Sequence, residues 1–490
     1  MTAVDILIWL AYIAVFIRLS RMGAGHDVMV SGRVGFGIQA FAFVATYISA
    51  VALVGFGGLA YKYGMQMLLV AAGNVWLGTW LVYRYLAWPT RVCQRNLRAR
   101  TPVQLLANGH KSPLLGRCLA LIFAVFLGVY ASAVIKGAAL LLGQIVPLPV
   151  SALIWVVALL VALAVFMGGL RGVLYTEAMQ GFVMLIGICM LIFAVFDKVG
   201  GPLEGMRQLA ALAPTAEADT GFVQLASGRQ GWFIISLVIV TSVAVWAQPQ
   251  MIQRHFALSS ARQVDRITPL AMFVLSVLVG GAYYAACLGR LFLPEVSSPD
   301  DVMPTMVKML LPDVGLQLFV LAIASASLST ATAIFHIAVS AVAEDLPGRK
   351  ASRGAWLAGI AFIVLLSGGC AQIKGQLIAM LCTTSWSVVG SAVLVAYVAL
   401  VRFGKRSAVA AWLSFLAGFA SCLAWYLMAD KNFAVIPMPW PALAKIPPFF
   451  AGFACSLAGW CIGWALDARG RRHSNFWPSR TPGHAGTPEG

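Results

Sequence analysis

Hydroxyl side chains cluster in two apolar stretches of the sequence, where their oxygens could bind a small, hard cation. One stretch is polar only around Thr46 and Ser49 and is glycine-rich just beyond. The other carries Ser325, Ser327, Ser329, Thr330 and Thr332. Hydroxyls that face a broken helix would join its backbone carbonyls in an oxygen-only cation site. Alternatively, they bond back to their own helix carbonyls, as Ser and Thr commonly do in lipid, and the residue spacing leaves both open.

Three ionisable residues in or beside apolar stretches are further candidates. Lys136 is either a counter-ion for a carboxylate substrate or a side chain that snorkels to the outer interface. His336 lies two helical turns after Ser329, on the same helix face. It is either a satisfied polar residue, part of an inward exit path, or a group that titrates in a proton-coupled protein. Glu177 could pair with Arg171 or attract a cation that leaves the site.

The elements that must position these residues are membrane-spanning helices. The chain of 490 residues is 61% hydrophobic and 10% charged, with a mean hydropathy of +0.87. This composition indicates that lipid, rather than water, surrounds most of the chain, and the end-to-end apolar runs favour one polytopic all-α bundle. The expected spans number about thirteen: 4–17, 36–60, 65–88, 118–143, 149–167, 177–196, 231–250, 267–289, 314–343, 355–371, 375–401, 408–428 and 448–466.

The basic residues set the expected orientation. Most of the 34 Lys and Arg residues fall in alternate loops, which are cytoplasmic by the positive-inside rule if the N-terminus lies outside and the C-terminus inside. The net charge of +17 is explained in this way, and no nucleic-acid partner is expected. The sequence therefore predicts an integral protein of the plasma (cytoplasmic) membrane.

Several function classes are disfavoured by what the sequence lacks. It has no P-loop, and its nine cysteines include no CxxC pair. A membrane transferase would usually need clusters of His, Asp or Glu at the interface, and none is evident. We therefore expect a transporter rather than an enzyme, with no organic cofactor and no obligate protein partner.

Four motifs, taken in order, resemble those of the sodium:solute symporter family. They are ATYISA (45–50) with YKYG (61–64), GGLRGVLYTEAMQGFVM (168–184), QPQMIQR (248–254), and Ser329-Thr330 with EDL (344–346). The resemblance implies a LeuT-like fold with two inverted five-helix repeats, formed by segments 2–6 and 7–11. It also implies a sodium site built from the carbonyls of Ala45, Ile48 and Ala326 and the hydroxyls of Ser329 and Thr330.

The same resemblance implies further roles and an organisation along the chain. The residues expected to bind the solute or gate its path are Tyr47, Ser49, Lys136, Thr241, Trp246 and Gln248. Those expected on the ion exit path are Glu177, where the family usually has Asp, and His336. The implied organisation is an extra helix (1–30), a first repeat (31–200), an outer loop (201–230), a second repeat (231–405), two more helices (406–470) and a disordered cytoplasmic tail (471–490).

The expected activity is sodium-coupled import of a small organic solute by alternating access. Residues 45–64 and 288–308 look most like the pantothenate branch and its monocarboxylate neighbours, which favours a carboxylate. Tyr47 stands where sugar-transporting relatives have Asn and proline-transporting ones Asp, so sugar and proline are less favoured. Proton coupling, an amino acid or another small solute, and a non-transporting solute sensor remain alternatives.

Overall fold

The computed structural model describes residues 3–22, 35–167, 173–293, 296–373, 375, 377–429, 434–439 and 441–468. Within these ranges the regular secondary structure is helical, with no β-strand. Hydropathy explains this, because a chain in lipid must satisfy its backbone hydrogen bonds within each segment. The predicted all-α class is therefore confirmed for the described part of the chain.

Twenty α-helices are described. The first ten are α1 (Ala3–Met22), α2 (Phe36–Tyr47), α3 (Phe56–Tyr63), α4 (Leu68–Gly73), α5 (Trp88–Asn96), α6 (Pro102–Gly109), α7 (Pro113–Leu142), α8 (Val150–Met167), α9 (Val173–Val199) and α10 (Pro202–Ala210). The others are α11 (Gly231–Ser242), α12 (Pro249–His255), α13 (Ala261–Leu275), α14 (Ala282–Leu288), α15 (Val302–Leu310), α16 (Asp313–Ser340), α17 (Arg353–Ala371), α18 (Ile378–Phe403), α19 (Ala408–Ala429) and α20 (Pro448–Ala468). Short 3-10 and π turns connect several of them.

The predicted count of thirteen spans is not confirmed. Nine helices of the described residues are long and apolar enough to cross a membrane, or ten if one bent pair counts as a span. Three shorter apolar helices, at Leu7–Leu19, Phe36–Tyr47 and Val150–Phe166, coincide with other predicted segments. The predicted repeat and loop boundaries stay predictions, and the tail at 471–490 lies outside the described residues.

Two spans are broken near their middle. The first stops at Tyr47, and Ile48 is extended (φ −103°, ψ 131°) before a π turn (Val51–Gly55) leads into α3. The second bends by 55° between α11 and α12, where Gln248 is extended (φ −68°, ψ 127°). Pro249 explains this second break, because proline removes a helical N–H and disfavours a helical conformation in the residue before it. The first break contains no proline and depends on contacts with another helix.

A 3-10 turn between α14 and α15 (Pro299–Asp301) closes over the first broken helix. A Cβ at Gly58 of α3 would clash with the Pro299 carbonyl oxygen, so glycine permits this approach. Asp300 is 4% exposed, and its Oδ2 accepts the Ile378 N–H at 3.1 Å in the first turn of α18. The turn therefore joins α3 to the beginning of α18.

The Asp300 carboxyl is strongly affected by its surroundings. Burial raises its pKa to about 6, opposed by the Ile378 hydrogen bond and the positive charge of Lys136, while Asp301 adds to the rise. Burial likewise raises the pKa of Asp301, again opposed by Lys136. Lys136 of α7 therefore lies close enough to both carboxyls to act on them.

We predict that Asp300 makes the stability of the protein depend on pH. The native state binds this proton more tightly than the unfolded chain, so the resulting stabilisation is fully present below the ordinary pKa of 3.8 and is lost as pH rises through about 6. The melting temperature of the detergent-purified protein should therefore fall between about pH 4 and about pH 7, and Asp300→Asn should reduce this dependence. The exposed Asp313, replaced by Asn, is the control. Equal pH profiles for parent and Asp300→Asn would contradict the prediction.

Candidate cation and solute site

The first helix break is held by hydroxyls of α16. The Ser327 Oγ accepts the backbone N–H of Ala50 at 3.0 Å, just beyond the break. The Thr330 hydroxyl donates to the carbonyl of Ala45 at 3.2 Å, in the last turn before it. Carbonyls in the last turn of a helix lack helical partners, so the break presents acceptors to α16. Thr330 and the break therefore place several oxygens together, as a hard cation requires.

The hydroxyls of α16 divide between the two predicted behaviours. Ser325 and Thr332 donate back to the carbonyls of Leu321 and Leu328, at 2.5 and 2.7 Å. Ser327, Ser329 and Thr330 instead bond to other helices. These three hydroxyls connect α16 to α2, to the residues just after the first break and to α9. The remaining predicted cation ligands, Ala45, Ile48 and Ala326, are all buried.

Glu177, at the start of α9, forms a buried ion pair beside these hydroxyls of α16. Its side chain is 1% exposed, and its Oε1 pairs with the Arg254 guanidinium of α12, which is 12% exposed. The same Oε1 accepts the Ser329 hydroxyl at 3.2 Å. Arg171, proposed from sequence as the partner of Glu177, lies outside the described residues. Glu177 therefore links the second broken span to α16.

The second break brings together most of the residues predicted to bind solute. The Tyr47 hydroxyl lies 3.2 Å from Asn74 Oδ1 and 3.3 Å from the carbonyl of Thr241. Trp246 donates its indole N–H to the carbonyl of Leu77 at 3.0 Å. These contacts join the end of α2, the turns after α4 and the end of α11. Tyr47, Thr241 and Trp246 therefore share one region between the two breaks.

Gln248, at the second break itself, lies against α18. It is fully buried, and its Nε2 donates to the backbone carbonyl of Trp386 at 3.5 Å. The Trp386 ring stacks on Phe56 of α3 and meets the edge of Tyr130 of α7, with centroids 6.4 and 5.3 Å apart. The solute region thus reaches α3, the part of the first broken span that follows its break, through Trp386.

The other predicted site residues have partners within the protein. Ser49 is buried, and its Oγ accepts the Val51 N–H at 3.3 Å. The His336 ring packs edge-on against Trp356 of α17 at 5.4 Å, a contact that accounts for its position without a ligand. Lys136 lies near Asp300 and Asp301, so it already has protein carboxylates beside it.

Sequence reasoning missed the roles of Asn74, Arg254 and Trp386. Arg254 was visible as the end of the QPQMIQR motif, five residues after a helix-breaking proline, but its partner is distant in sequence. Asn74 is a buried amide whose Oδ1 also meets the Ser242 hydroxyl at 3.4 Å. Trp386 lies in a long apolar helix and carries no local signal. Only the packing of several helices brings these side chains to the breaks.

A helical bundle with two broken spans and an oxygen-rich contact at one break is the architecture of a gradient-driven membrane transporter. The chain belongs to the sodium:solute symporter family, whose family model matches residues 29–418. Members of this family are transporters rather than enzymes.

The relatives of known function named here share 28% sequence identity or less with this chain. The chain is 28% identical over 314 residues to the sodium/pantothenate symporter of Haemophilus influenzae and 26% identical over 310 residues to that of Escherichia coli. Both matches cover 63% of this chain and 63% of the relative, less than two thirds of its length. The sodium/proline symporter of Haemophilus influenzae is 23% identical over 447 residues, with 87% of this chain and 86% of the relative covered.

Solved structures confirm the LeuT-like fold. A substrate-bound, outward-open Na⁺-coupled sialic acid symporter matches with a TM-score of 0.73 and 17% identity, covering 97% of this chain and all of that chain. MhsT in complex with L-phenylalanine matches with a TM-score of 0.55 and 13% identity, covering 88% and 99%. At these identities the likeness concerns the fold alone.

We predict that Glu177 and Arg254 depend on each other. Removing one charge leaves the other buried without its partner, which typically costs about 3–5 kcal/mol. Glu177→Gln and Arg254→Gln should therefore each lower the melting temperature of the purified protein, and the double variant should lose less than the two single losses combined.

An exposed ion pair in the same chain is the control. Arg207 and Glu204 are 80% and 47% exposed, so Glu204→Gln should leave the melting temperature almost unchanged. Additive losses in the Glu177 and Arg254 double-mutant cycle would contradict the prediction.

Proposed function

We propose that this protein is a sodium-coupled symporter that imports a small organic carboxylate by alternating access. It would lie in the cytoplasmic membrane with its N-terminus outside and its C-terminus inside, as the distribution of basic residues favours. The observation that carries the proposal is the Thr330 hydroxyl, which reaches the Ala45 carbonyl at the helix break. In a member of the sodium:solute symporter family, this contact favours the break as the ion site.

The proposed sodium ligands are the carbonyls of Ala45, Ile48 and Ala326 and the hydroxyls of Ser329 and Thr330. Sodium is a hard ion, and all five oxygens are neutral. The Ser329 hydroxyl donates a hydrogen bond to Glu177, so the lone pairs of its oxygen remain available to a cation. Because no ligand is charged, the ion would bind weakly enough to leave on the cytoplasmic side.

Glu177 and Arg254 would couple ion release to the movement of the broken spans. Their pair joins α9 to α12, while Glu177 also contacts Ser329 of α16. Movement of α12 would change both the pair and the Ser329 contact. The ion must bind more tightly in one state than in the other for its gradient to drive uptake, and a contact shared by ion site and moving helix can supply that difference.

The two pantothenate symporters among the relatives support an organic carboxylate as the solute. Lys136 would influence binding of the solute only indirectly, because Asp300 and Asp301 lie beside its charge. Tyr47, Thr241, Trp246 and Gln248 are the proposed solute-binding or gating residues, and their polar groups are uncharged. The carboxylate would therefore be bound by hydrogen-bond donors rather than by a cation.

Uptake into liposomes tests the proposal. We expect purified protein to accumulate labelled pantothenate, or another acid from a panel of small carboxylates, under an inward sodium gradient. Accumulation should cease when an ionophore dissipates that gradient. Uptake that ignores sodium and follows the pH gradient would contradict sodium coupling.

Thr330→Ala should weaken sodium binding. Loss of one oxygen ligand should raise the sodium concentration for half-maximal uptake by about tenfold, equivalent to about 1.4 kcal/mol. Thr330→Ser keeps the hydroxyl and should stay near the parent. Thr332→Ala is the matched control, since Thr332 donates to Leu328 of its own helix. Equal sodium dependence of Thr330→Ala and Thr332→Ala would contradict the site.

A further inference from the structure

We propose that Gln248 and Trp386 together bind an amide or hydroxyl group of the solute. This inference rests on the proposed function and narrows its substrate class: the carboxylate must also carry a group that both donates and accepts a hydrogen bond. Simple alkyl carboxylates would then be poor substrates.

The first observation is a buried acceptor without a partner. Gln248 is fully buried at the break between α11 and α12, and its Nε2 donates to the Trp386 carbonyl. Its Oε1 is buried and has no hydrogen-bond partner among the described residues. Exchanging the two amide atoms would place an oxygen against the Trp386 carbonyl oxygen, so the orientation is determined by that contact. An unsatisfied buried acceptor costs about 1–3 kcal/mol, which a donor on the solute would offset.

The second observation is a buried donor without a partner, on the residue that Gln248 contacts. The indole Nε1 of Trp386 is buried and has no hydrogen-bond partner in the described part of the chain, although buried indole N–H groups usually have one. Stacking on Phe56 and the edge contact with Tyr130 hold the ring between α3 and α7. The N–H can only donate, so it requires an acceptor on the ligand.

The two unsatisfied groups define the chemistry of the ligand. Gln248 Oε1 requires an O–H or N–H, and Trp386 Nε1 requires an oxygen lone pair. A hydroxyl supplies both from one atom, and a secondary amide supplies both from its N–H and its C=O. An alkyl carboxylate supplies only acceptors, so it would leave Gln248 Oε1 unsatisfied and be rejected.

Gln248 and Trp386 lie against the two broken spans, which would move in alternating access. Gln248 is the extended residue at which the second span bends, and Phe56 begins the helix after the first break. Trp386 touches both. A solute bound to Gln248 and Trp386 would therefore contact the two broken spans at once, so its binding would depend on their relative position.

Two matched pairs of labelled acids test the inference in liposomes with an inward sodium gradient. Lactate differs from propionate by a hydroxyl, and N-acetylglycine differs from levulinate by an N–H in place of a CH₂. We expect the parent to take up lactate at least about tenfold better than propionate, because the hydroxyl adds two hydrogen bonds of about 1 kcal/mol each. N-acetylglycine should be taken up about fivefold better than levulinate, because its N–H adds only the bond to Gln248 Oε1. Trp386→Phe keeps the ring but removes the N–H, and should lower the preference for lactate over propionate about fivefold with an unchanged sodium dependence. It should leave the preference for N-acetylglycine over levulinate unchanged, because both acids carry the carbonyl that accepts from Trp386 Nε1.

Trp425→Phe is the matched control. Trp425 of α19 also has a buried indole N–H without a partner, but it lies outside the two broken spans and α18. Its replacement should leave the preference intact. Gln248→Met provides a second variant, and the melting temperature on adding each acid gives a readout that needs no transport. Gln248→Met should lose the extra stabilisation by N-acetylglycine over levulinate, because the two acids differ only in the N–H that Gln248 Oε1 would accept.

The outcomes separate the two proposals. Sodium-driven uptake with equal rates within both pairs would overturn the inference and leave the symporter proposal standing. An equal loss of preference in Trp386→Phe and Trp425→Phe would also overturn it. Absence of sodium-driven uptake of these acids and of pantothenate by the folded parent would overturn the proposed function and the inference with it.

Discussion

In a bilayer, backbone polar groups must find partners within the protein, and the first helix break depends on this requirement. No proline forces the chain apart at Ile48. Hydroxyls of α16 instead accept the Ala50 N–H and donate to the Ala45 carbonyl. Breaking a span in lipid would otherwise leave these groups unsatisfied, so the break and the hydroxyl cluster require each other. The same hydrogen bonds bring neutral oxygens close together, and a transported cation needs such oxygens as ligands.

Features of the site that depend on neighbouring residues in the sequence could be predicted, whereas contacts between distant residues could not. The stretch around Thr46 and Ser49 could be named as a candidate break, because local composition marks it, but that composition left other interpretations open. The cross-helix role of Ser329 and Thr330 was left open, since a hydroxyl in lipid can satisfy itself on its own helix, as Ser325 and Thr332 do. Their spacing alone cannot distinguish the two behaviours.

Longer-range partners were not predictable from one sequence. Glu177 and Arg254 are far apart along the chain, and the nearer Arg171 was an equally reasonable partner. Trp386 resembles any aromatic residue of a buried helix until Gln248 and Phe56 meet it. The fold class was predictable because hydropathy acts over whole spans. The number of spans was not, because broken and short helices interrupt the apolar runs without changing their composition.

The charges of the site lie to either side of the breaks rather than at them. Glu177 and Arg254 are paired between α9 and α12, and Lys136 lies near Asp300 and Asp301 by the turn that covers α3. Between them, Tyr47, Gln248 and Trp386 offer only neutral polar groups. Neutral groups cost far less to move between water and protein than charges do. A neutral centre between two charge clusters can therefore be opened to either side while most of the electrostatic cost stays in contacts that can break and re-form.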